Sequence, residues 1–411
     1  MAGHHHDHFL TPNFDLLGQA LAMDRANQVI YLDNAATTFP KPREVLKRIV
    51  ETYTRLGVSP GRGSYDLAME AEEFVQQSRR KLARFFCAPD PERVIFANNA
   101  TDALNLAIQG LLQAGHHVVA TRLEHNSVLR PLFHFRQIGM IEYDLVPFNG
   151  DGFIDPRDVA DMMRPNTRLV IICHASNVLG TIQPIAEVGR LCADRGVPLM
   201  IDASQSAGHV PIDMDAWGVS IVAFTGHKSL YGPTGIGGLL IRPDLKIQAT
   251  RFGGTGIESR SLIHTQTFPH RLEAGTINLL GIIGLSAGLD YVLAKGMDEI
   301  HRREMELLRR LRDGLSELQG VDLYCAQDLS NHVAVLTTNV RGIEPEDVGA
   351  ILDVDFGVAA RTGLHCAPLI HEDLGTSPRG GVRFSLGCFN TAEDIDSAIE
   401  AMASICKHRS K

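Results

Sequence analysis

No run of about 18 apolar residues occurs in the 411-residue sequence, so no membrane-spanning helix is expected. The start, Met1-Ala-Gly-His-His-His-Asp-His-Phe-Leu10, lacks the charged-then-apolar layout of a secretory signal. Basic charge is in deficit. Lys plus Arg number 39 against 48 Asp plus Glu, a formal charge of -9, which gives no reason to expect nucleic acid or an anionic membrane surface as a partner. The seven cysteines, at 87, 173, 192, 325, 366, 388 and 406, are odd in number and form no Cys-x-x-Cys pair. In a chain of this size that points to free thiols, a reducing compartment and a cytoplasmic location. There is no internal repeat and no long Pro/Ser linker. No metal site is expected: the tract His4, His5, His6, Asp7, His8 could bind a transition metal weakly, but it reads as an engineered or disordered leader. The composition, 44 % apolar and 21 % charged, suits a globular chain long enough for two domains without disulfides or structural metals.

What is present is an alternation. Short apolar runs at 29–33, 93–97, 117–121, 142–147, 168–173, 199–202, 220–224 and 238–241 read as strands. Amphipathic stretches at 67–86, 101–112, 128–137 and 186–194 read as helices. In the first of these, Ala71, Phe74, Ser78, Leu82 and Phe85 recur at helical spacing. Strands alternating with helices give βαβ units and a largely parallel sheet covered on both faces, an α/β fold. The tail differs: an apolar Gly-rich helix at 279–294, a long charged helix at 297–318, a strand at 332–338 and a closing helix at 392–407. The expected organisation is a leader or arm over 1–28, a large domain over 29–284 and a smaller α+β C-terminal domain over 285–411. In open α/β sheets, ligands sit beyond the carboxyl ends of the strands. Polar clusters at 98–101, 124–126, 174–180, 202–205 and 225–228 each follow an expected strand, which points to one shared site.

Each cluster has a chemical and a bland reading. Lys228, among small turn-forming residues after a strand, could form a Schiff base if its site lowers its pKa, or could be a solvated loop lysine. Asp202 could hold a cofactor ring nitrogen protonated, or cap the next helix. Ala100 and Thr101 open a helix, where backbone N–H groups and one hydroxyl suit a phosphate, or a simple N-cap. His125 could stack on a ring and shuttle protons, or be structural. Cys366, on a Gly/Pro-bounded loop beside His365 and near Arg361, is a candidate low-pKa thiol, or a packing cysteine.

The segments Ser176-Asn-Val-Leu-Gly180, Asp202-Ala-Ser-Gln205, Gly226-His-Lys-Ser-Leu-Tyr-Gly-Pro-Thr-Gly-Ile-Gly237, Arg271-Leu-Glu-Ala-Gly-Thr276 and Arg361-Thr-Gly-Leu-His-Cys366 occur together and in this order. In them the sequence resembles the class V, fold-type I pyridoxal-phosphate (PLP) enzymes. Within that class it is similar to the group II (SUF-type) cysteine desulfurases and selenocysteine lyases. The resemblance runs from Tyr31-Leu-Asp-Asn-Ala-Ala36 to Arg383-Phe-Ser-Leu-Gly-Cys-Phe-Asn390, nearly the whole chain.

It implies a large PLP-binding domain and conversion of L-cysteine to L-alanine, with the sulfur passed to Cys366 as a persulfide. Lys228 would carry the cofactor and act as base. Asp202 would pair with the ring nitrogen, Gln205 with the ring hydroxyl, and His125 would stack on the ring. Ala100, Thr101, Thr225 and His227 would hold the phosphate, and Thr276 would reach the phosphate of a neighbouring subunit. Asn177 and Arg383 would take the substrate carboxylate, with Ala35 and Arg361 beside the substrate. A homodimer with shared active sites and a sulfur-accepting partner protein are implied as well. The sequence departs from the family pattern at Ala100, where a hydroxyl is common, at Leu364, where His is common, and at Gly61-Arg-Gly63, where His-Arg-Gly is common. L-Selenocysteine as substrate, another class V aminotransferase, epimerase or lyase, and a silent protein keeping the fold are the competing readings.

Overall fold

The computed structural model describes residues 29–61 and 63–408. The expected leader with its histidine tract, and Arg62, lie outside the described residues. The chain opens with β1 (Ile30–Tyr31), α1 (Arg43–Leu56) and α2 (Asp66–Phe85). Strands and helices then alternate through β2 (Val94–Ala97), α3 (Ala100–Leu111), β3 (His116–Thr121), α4 (Asn126–Gln137), β4 (Ile141–Val146), α5 (Pro156–Asp161), β5 (Thr167–Cys173), α6 (Ile185–Asp194), β6 (Leu199–Asp202), β7 (Ile221–Thr225) and β8 (Gly237–Ile241).

Strands β2 to β8 form a seven-stranded sheet in the order β2-β8-β7-β6-β5-β3-β4. Only β8 runs against its neighbours, antiparallel to both β2 and β7; the other pairs are parallel. The carboxyl ends of β2, β3, β5, β6 and β7 therefore share one edge. The chain runs outward from β3 to β4 and returns on the other side of β3 as β5. That reversal is the switch point at which such sheets open a crevice. Both faces are covered, as a mainly parallel sheet requires. Successive side chains point to opposite faces: Leu169 and Ile171 pack with Ile95, Val118 and Met200, while Val170 and Ile172 pack with Phe96, Val119 and Phe224.

Helices α7 (Leu279–Lys295) and α8 (Met297–Ser316) follow. Helix α7 is apolar almost all round and mostly buried, so it belongs to the core of the large sheet. No single described helix is long and apolar enough to cross a bilayer. Helices α7 and α8 would suffice only as a pair, and they bend by 79° where they meet. The glycines of α7 let it lie against backbone: a Cβ at Gly288 would stand 2.0 Å from the carbonyl oxygen of Leu230 and 2.9 Å from the nitrogen of Gly232. Residues 230–232 continue the turn that carries Lys228, so α7 is the wall behind that turn. Gly288→Ala is expected to cost about 1–3 kcal/mol through overpacking, read as a lower midpoint of thermal unfolding.

The chain ends with β9 (Val321–Tyr324), β10 (Val335–Val340), α9 (Pro345–Phe356), β11 (Val358–Ala359), β12 (Arg361–Gly363), α10 (Pro368–Asp373), β13 (Gly381–Ser385) and α11 (Ala392–His408). An antiparallel sheet in the order β12-β13-β10-β9 has its own core, including Leu308, Leu311, Leu336, Leu352, Phe384 and Met402. The strand expected over 29–33 does not join the large sheet. It shortens to β1 and pairs parallel with β11, Ile30 beside Val358, while Asp33 bridges Ser385 and Leu32 enters the C-terminal core. An apolar run marks a strand but not its partner.

Candidate active site

A cavity of about 280 Å³ opens along the carboxyl edge of the large sheet. Its walls come from successive strand ends. Asn99, Ala100 and Thr101 follow β2, and His125 and Ser127 follow β3. Cys173 ends β5, with Ala175 and Asn177 beyond it. Asp202 ends β6, with Ser204 and Gln205 beyond it; Thr225 ends β7, with His227 and Lys228 beyond it. Ala35 and Ala36 close one side, and Arg361, His365 and Arg383 from the C-terminal unit close the other. Of the residues expected from sequence, all but two therefore line one cavity. Thr276 sits instead in a small separate cavity with Arg79, His270 and Glu273. Cys366 stands at the margin, beside His365, with its sulfur 3.8 Å from Nη2 of Arg361.

The Lys228 turn is anchored through its neighbour. The carbonyl of His227 accepts the N–H of Thr38 at 3.1 Å, the hydroxyl of Thr37 at 3.0 Å and Nζ of Lys41 at 2.5 Å. Burial at the base of the cavity lowers the Lys228 amine from 10.5 to about 8, and the carboxylate of Asp202 opposes that shift. Asp202 is 5 % exposed. Its Oδ1 accepts the N–H of Ser204 at 2.9 Å and the Ser204 hydroxyl at 2.5 Å. No helix lies between β6 and β7 for it to cap; Oδ1 caps a turn instead, and Oδ2 has no hydrogen-bond partner among the described residues.

His125 is fixed by its neighbours. Its Nδ1 accepts the backbone N–H of Ser127 at 3.1 Å and lies 2.8 Å from the Ser127 hydroxyl, which lies 2.7 Å from that of Thr101. The ring proton is therefore on Nε2. Burial lowers this imidazole to about 4, so the ring is neutral near pH 7. Next to it, Glu124 is fully buried, and burial raises its carboxyl to about 8. Oε1 accepts the Thr121 hydroxyl and the Cys173 N–H, both at 2.8 Å.

The residues present fit a phosphorylated pyridine aldehyde. The N-terminus of α3 opens on the cavity at Ala100 and Thr101. Beside it, the buried Oγ1 of Thr225 and Nδ1 of His227 have no protein partner. Unpartnered polar atoms beside a helix N-terminus suit a phosphate. Asp202 suits the ring nitrogen, His125 the ring face and Lys228 the aldehyde.

Arg383 is 1 % exposed. Its Nη2 meets Oδ1 of Asp33 at 2.6 Å, Nη1 donates to the carbonyl of Asn177 at 3.1 Å, and Nε is unpartnered. Asn177 donates Nδ2 to the carbonyl of His365 at 2.7 Å and keeps an unpartnered Oδ1.

Cys366 occupies a short turn between β12 and α10. His365 and Cys366 both adopt left-handed backbone, with φ of 52° and 58°. The turn is pinned by the Asn126 N–H on the Cys366 carbonyl at 2.7 Å and by Asn177 on that of His365. The thiol is half-buried, not sealed in the interior. Burial lowers His365 to about 2 and His371, whose Nε2 lies 3.3 Å from Nδ1 of His365, to about 4. His365 is therefore neutral, and the guanidinium of Arg361 is the cationic group beside the sulfur. Sequence reasoning missed Ser127, Ser204 and Cys173 as wall residues. The two serines carry a readable signal: each stands two positions after the side chain it bonds.

The aminotransferase class-V family model matches residues 30–397. A Methanothermobacter thermautotrophicus protein named "Probable cysteine desulfurase" is 35 % identical over 382 residues, covering 92 % of this chain and 94 % of its own. Among solved structures, the apo cysteine desulfurase of Thermococcus onnurineus matches with a TM-score of 0.87 at 35 % identity, covering 93 % of this chain and 96 % of that one. The cysteine desulfurase CsdA of Escherichia coli matches with a TM-score of 0.84 at 27 % identity, covering 95 % and 98 %. Family model, relative and structures agree over almost the whole chain, which belongs to the aminotransferase class-V family of pyridoxal-phosphate-dependent enzymes.

Proposed function

We propose that this chain is a cysteine desulfurase that converts L-cysteine to L-alanine and carries the sulfur away on Cys366. The observation that carries the reading is the position of that thiol: half-buried on a pinned turn at the rim of the cavity, with a guanidinium 3.8 Å from its sulfur. The thiolate is the form that attacks. When bound, pyridoxal phosphate supplies an electron sink that lets the Cα–H and Cβ–S bonds of the amino acid break.

The chain's own residues do the rest. Lys228 Nζ would anchor the cofactor and would take the Cα proton of the substrate. Its lowered pKa keeps a useful share of the amine neutral. Asp202 Oδ2 would hold the ring nitrogen protonated, and neutral His125 would lie against the ring. Gln205 already donates Nε2 to the Ala35 carbonyl at 3.0 Å, which leaves its Oε1 for the ring hydroxyl. Thr101, Thr225 and His227, with the backbone N–H of Ala100, hold the phosphate. Arg383 and Asn177 take the substrate carboxylate, with Ala35 and Arg361 beside the side chain. Cys366 Sγ attacks the substrate sulfur. The S–S bond forms as the Cβ–S bond breaks, and the former β-carbon takes a proton to become the methyl of alanine. Sulfur is oxidised as carbon is reduced, so L-cysteine plus thiol gives L-alanine plus persulfide with no outside oxidant.

The reading includes a homodimer. Thr276 is outside the cavity of its own chain, and the same stretch exposes Phe252, Leu262 and Ile263. A second copy on this surface would bring Thr276 to a neighbouring phosphate site. A sulfur-accepting protein completes the cycle by emptying Cys366.

The test is turnover with L-cysteine and a thiol reductant. Alanine and sulfide are expected in equal amounts. A pyruvate or racemised amino acid product in place of alanine would overturn the assignment. A parallel assay with L-selenocysteine measures the preference between the two substrates as a ratio of kcat/KM values. In the same assay Arg383→Lys, which keeps the charge but loses the fork that binds a carboxylate, is expected to raise KM about tenfold and to leave kcat within about threefold.

A further inference from the structure

Directly behind the active-site wall lies a second polar group that the reaction above does not use. Ser229, the residue after Lys228, is 7 % exposed, and its hydroxyl is hydrogen-bonded to Nε2 of His209. On the other side of that ring, Nδ1 lies 2.8 Å from Oε2 of Glu304, which is 1 % exposed. The two atoms are close but not aligned as a hydrogen bond, and Nδ1 of His209 and both carboxylate oxygens of Glu304 have no other hydrogen-bond partner. The loop and the turn are in direct contact: a Cβ at Gly208 would stand 2.2 Å from the Ser229 carbonyl oxygen. Ser229, His209 and Glu304 border a cavity of about 10 Å³ that also touches Ala35 and Gln205, both of which line the active-site cavity.

A serine, a histidine and a carboxylate in series suggest a hydrolytic triad, but this cavity has room for about one water and none for a substrate. Position explains the group better. Glu304 lies on α8, Ser229 on the turn that presents Lys228, and His209 spans the two. Other titratable groups surround them: Tyr231, Cys388 and Arg303 lie around Glu304 and its neighbours, and His301 lies near His209. Burial holds Tyr231 and Cys388 protonated and His301 neutral. Glu304 and His209 are the pair in direct contact within this group.

We propose that Glu304, His209 and Ser229 are positioning residues, a buried link through which helix α8 holds the Lys228 turn in register with the active-site cavity. The inference rests on Lys228 being the cofactor lysine. Its test uses the cofactor-loaded full chain without substrate, following the pH midpoint of the absorption band of the Lys228–cofactor linkage. Ser229→Ala and Glu304→Gln are each expected to move that midpoint by about half a unit or more, and the double variant to move it no further than the larger single, as coupled residues do. In turnover, kcat is expected to fall about fivefold with KM within about twofold. Ser229→Ala removes only a hydroxyl, so it reports even if Glu304→Gln fails to fold. Borohydride reduction followed by peptide mapping separates the two levels of inference. A label on Lys228 with a midpoint unmoved in Ser229→Ala overturns the link alone; a label on another lysine overturns both.

Discussion

A Lys228→Ala variant is expected to lose the covalent cofactor band and to turn over L-cysteine about 10³–10⁴-fold more slowly. The loss is large because the proposal gives one amine two duties, attachment of the cofactor and transfer of the Cα proton. Among the described residues no other lysine lines the cavity. The sign of the pH dependence follows from burial. Desolvation disfavours the ammonium and lowers the amine from 10.5 to about 8. At pH 7 roughly a tenth of the amine is then neutral, against well under about one part in a thousand for an ordinary lysine. Covalent capture of pyridoxal phosphate by cofactor-depleted wild-type protein is accordingly expected to accelerate as pH rises through about 8 and to level off above it. A capture rate still climbing towards 10.5 would mean that the amine is solvated and the cavity geometry is wrong.

Cys366→Ala is the second large effect, and it separates sulfur transfer from cofactor chemistry. The variant is expected to keep the cofactor absorbance and thermal midpoint of the wild type while losing sulfide release from L-cysteine by about 10²-fold or more. Folding should be little affected, since the thiol is half-buried and the turn is held by backbone and Asn177 contacts rather than by sulfur. With L-selenocysteine the same variant is expected to remain active, because selenium leaves more readily and has less need of an attacking thiolate. Equal loss on both substrates would assign Cys366 to cofactor or substrate binding instead.

Much of the large sheet was legible because its strands are buried on both faces, so that Val170, Ile171 and Ile172 read as an unbroken apolar run. The site was legible for a related reason: chemistry-bearing residues stand at or just after strand ends, as Asp202 and Lys228 do, and five such ends share one edge. What the sequence withheld is mostly non-local. The partner of β1 lies more than 300 positions away at Val358, and no local pattern encodes that pairing. Strand β12 is too short, at Arg361–Gly363, for any periodicity. Ser229, His209 and Glu304 lie on three separate elements, and their contact exists only after α8 has docked. Burial keeps the His365 ring neutral, and that burial depends on the docked C-terminal elements rather than on the residues beside it in the sequence. Helix α1 carried a readable signal that was passed over: Val45, Thr52 and Leu56 are buried along one face of an otherwise exposed helix.

The most direct measurement is the mass of the Cys366 peptide after a brief incubation of the cofactor-loaded enzyme with L-cysteine and trapping of thiols by alkylation. The account predicts that this peptide gains one sulfur atom, in proportion to the alanine formed, and that peptides carrying Cys173 and the other cysteines do not. Alanine and sulfide appearing while Cys366 stays unmodified, or the extra sulfur residing on another cysteine, would contradict it.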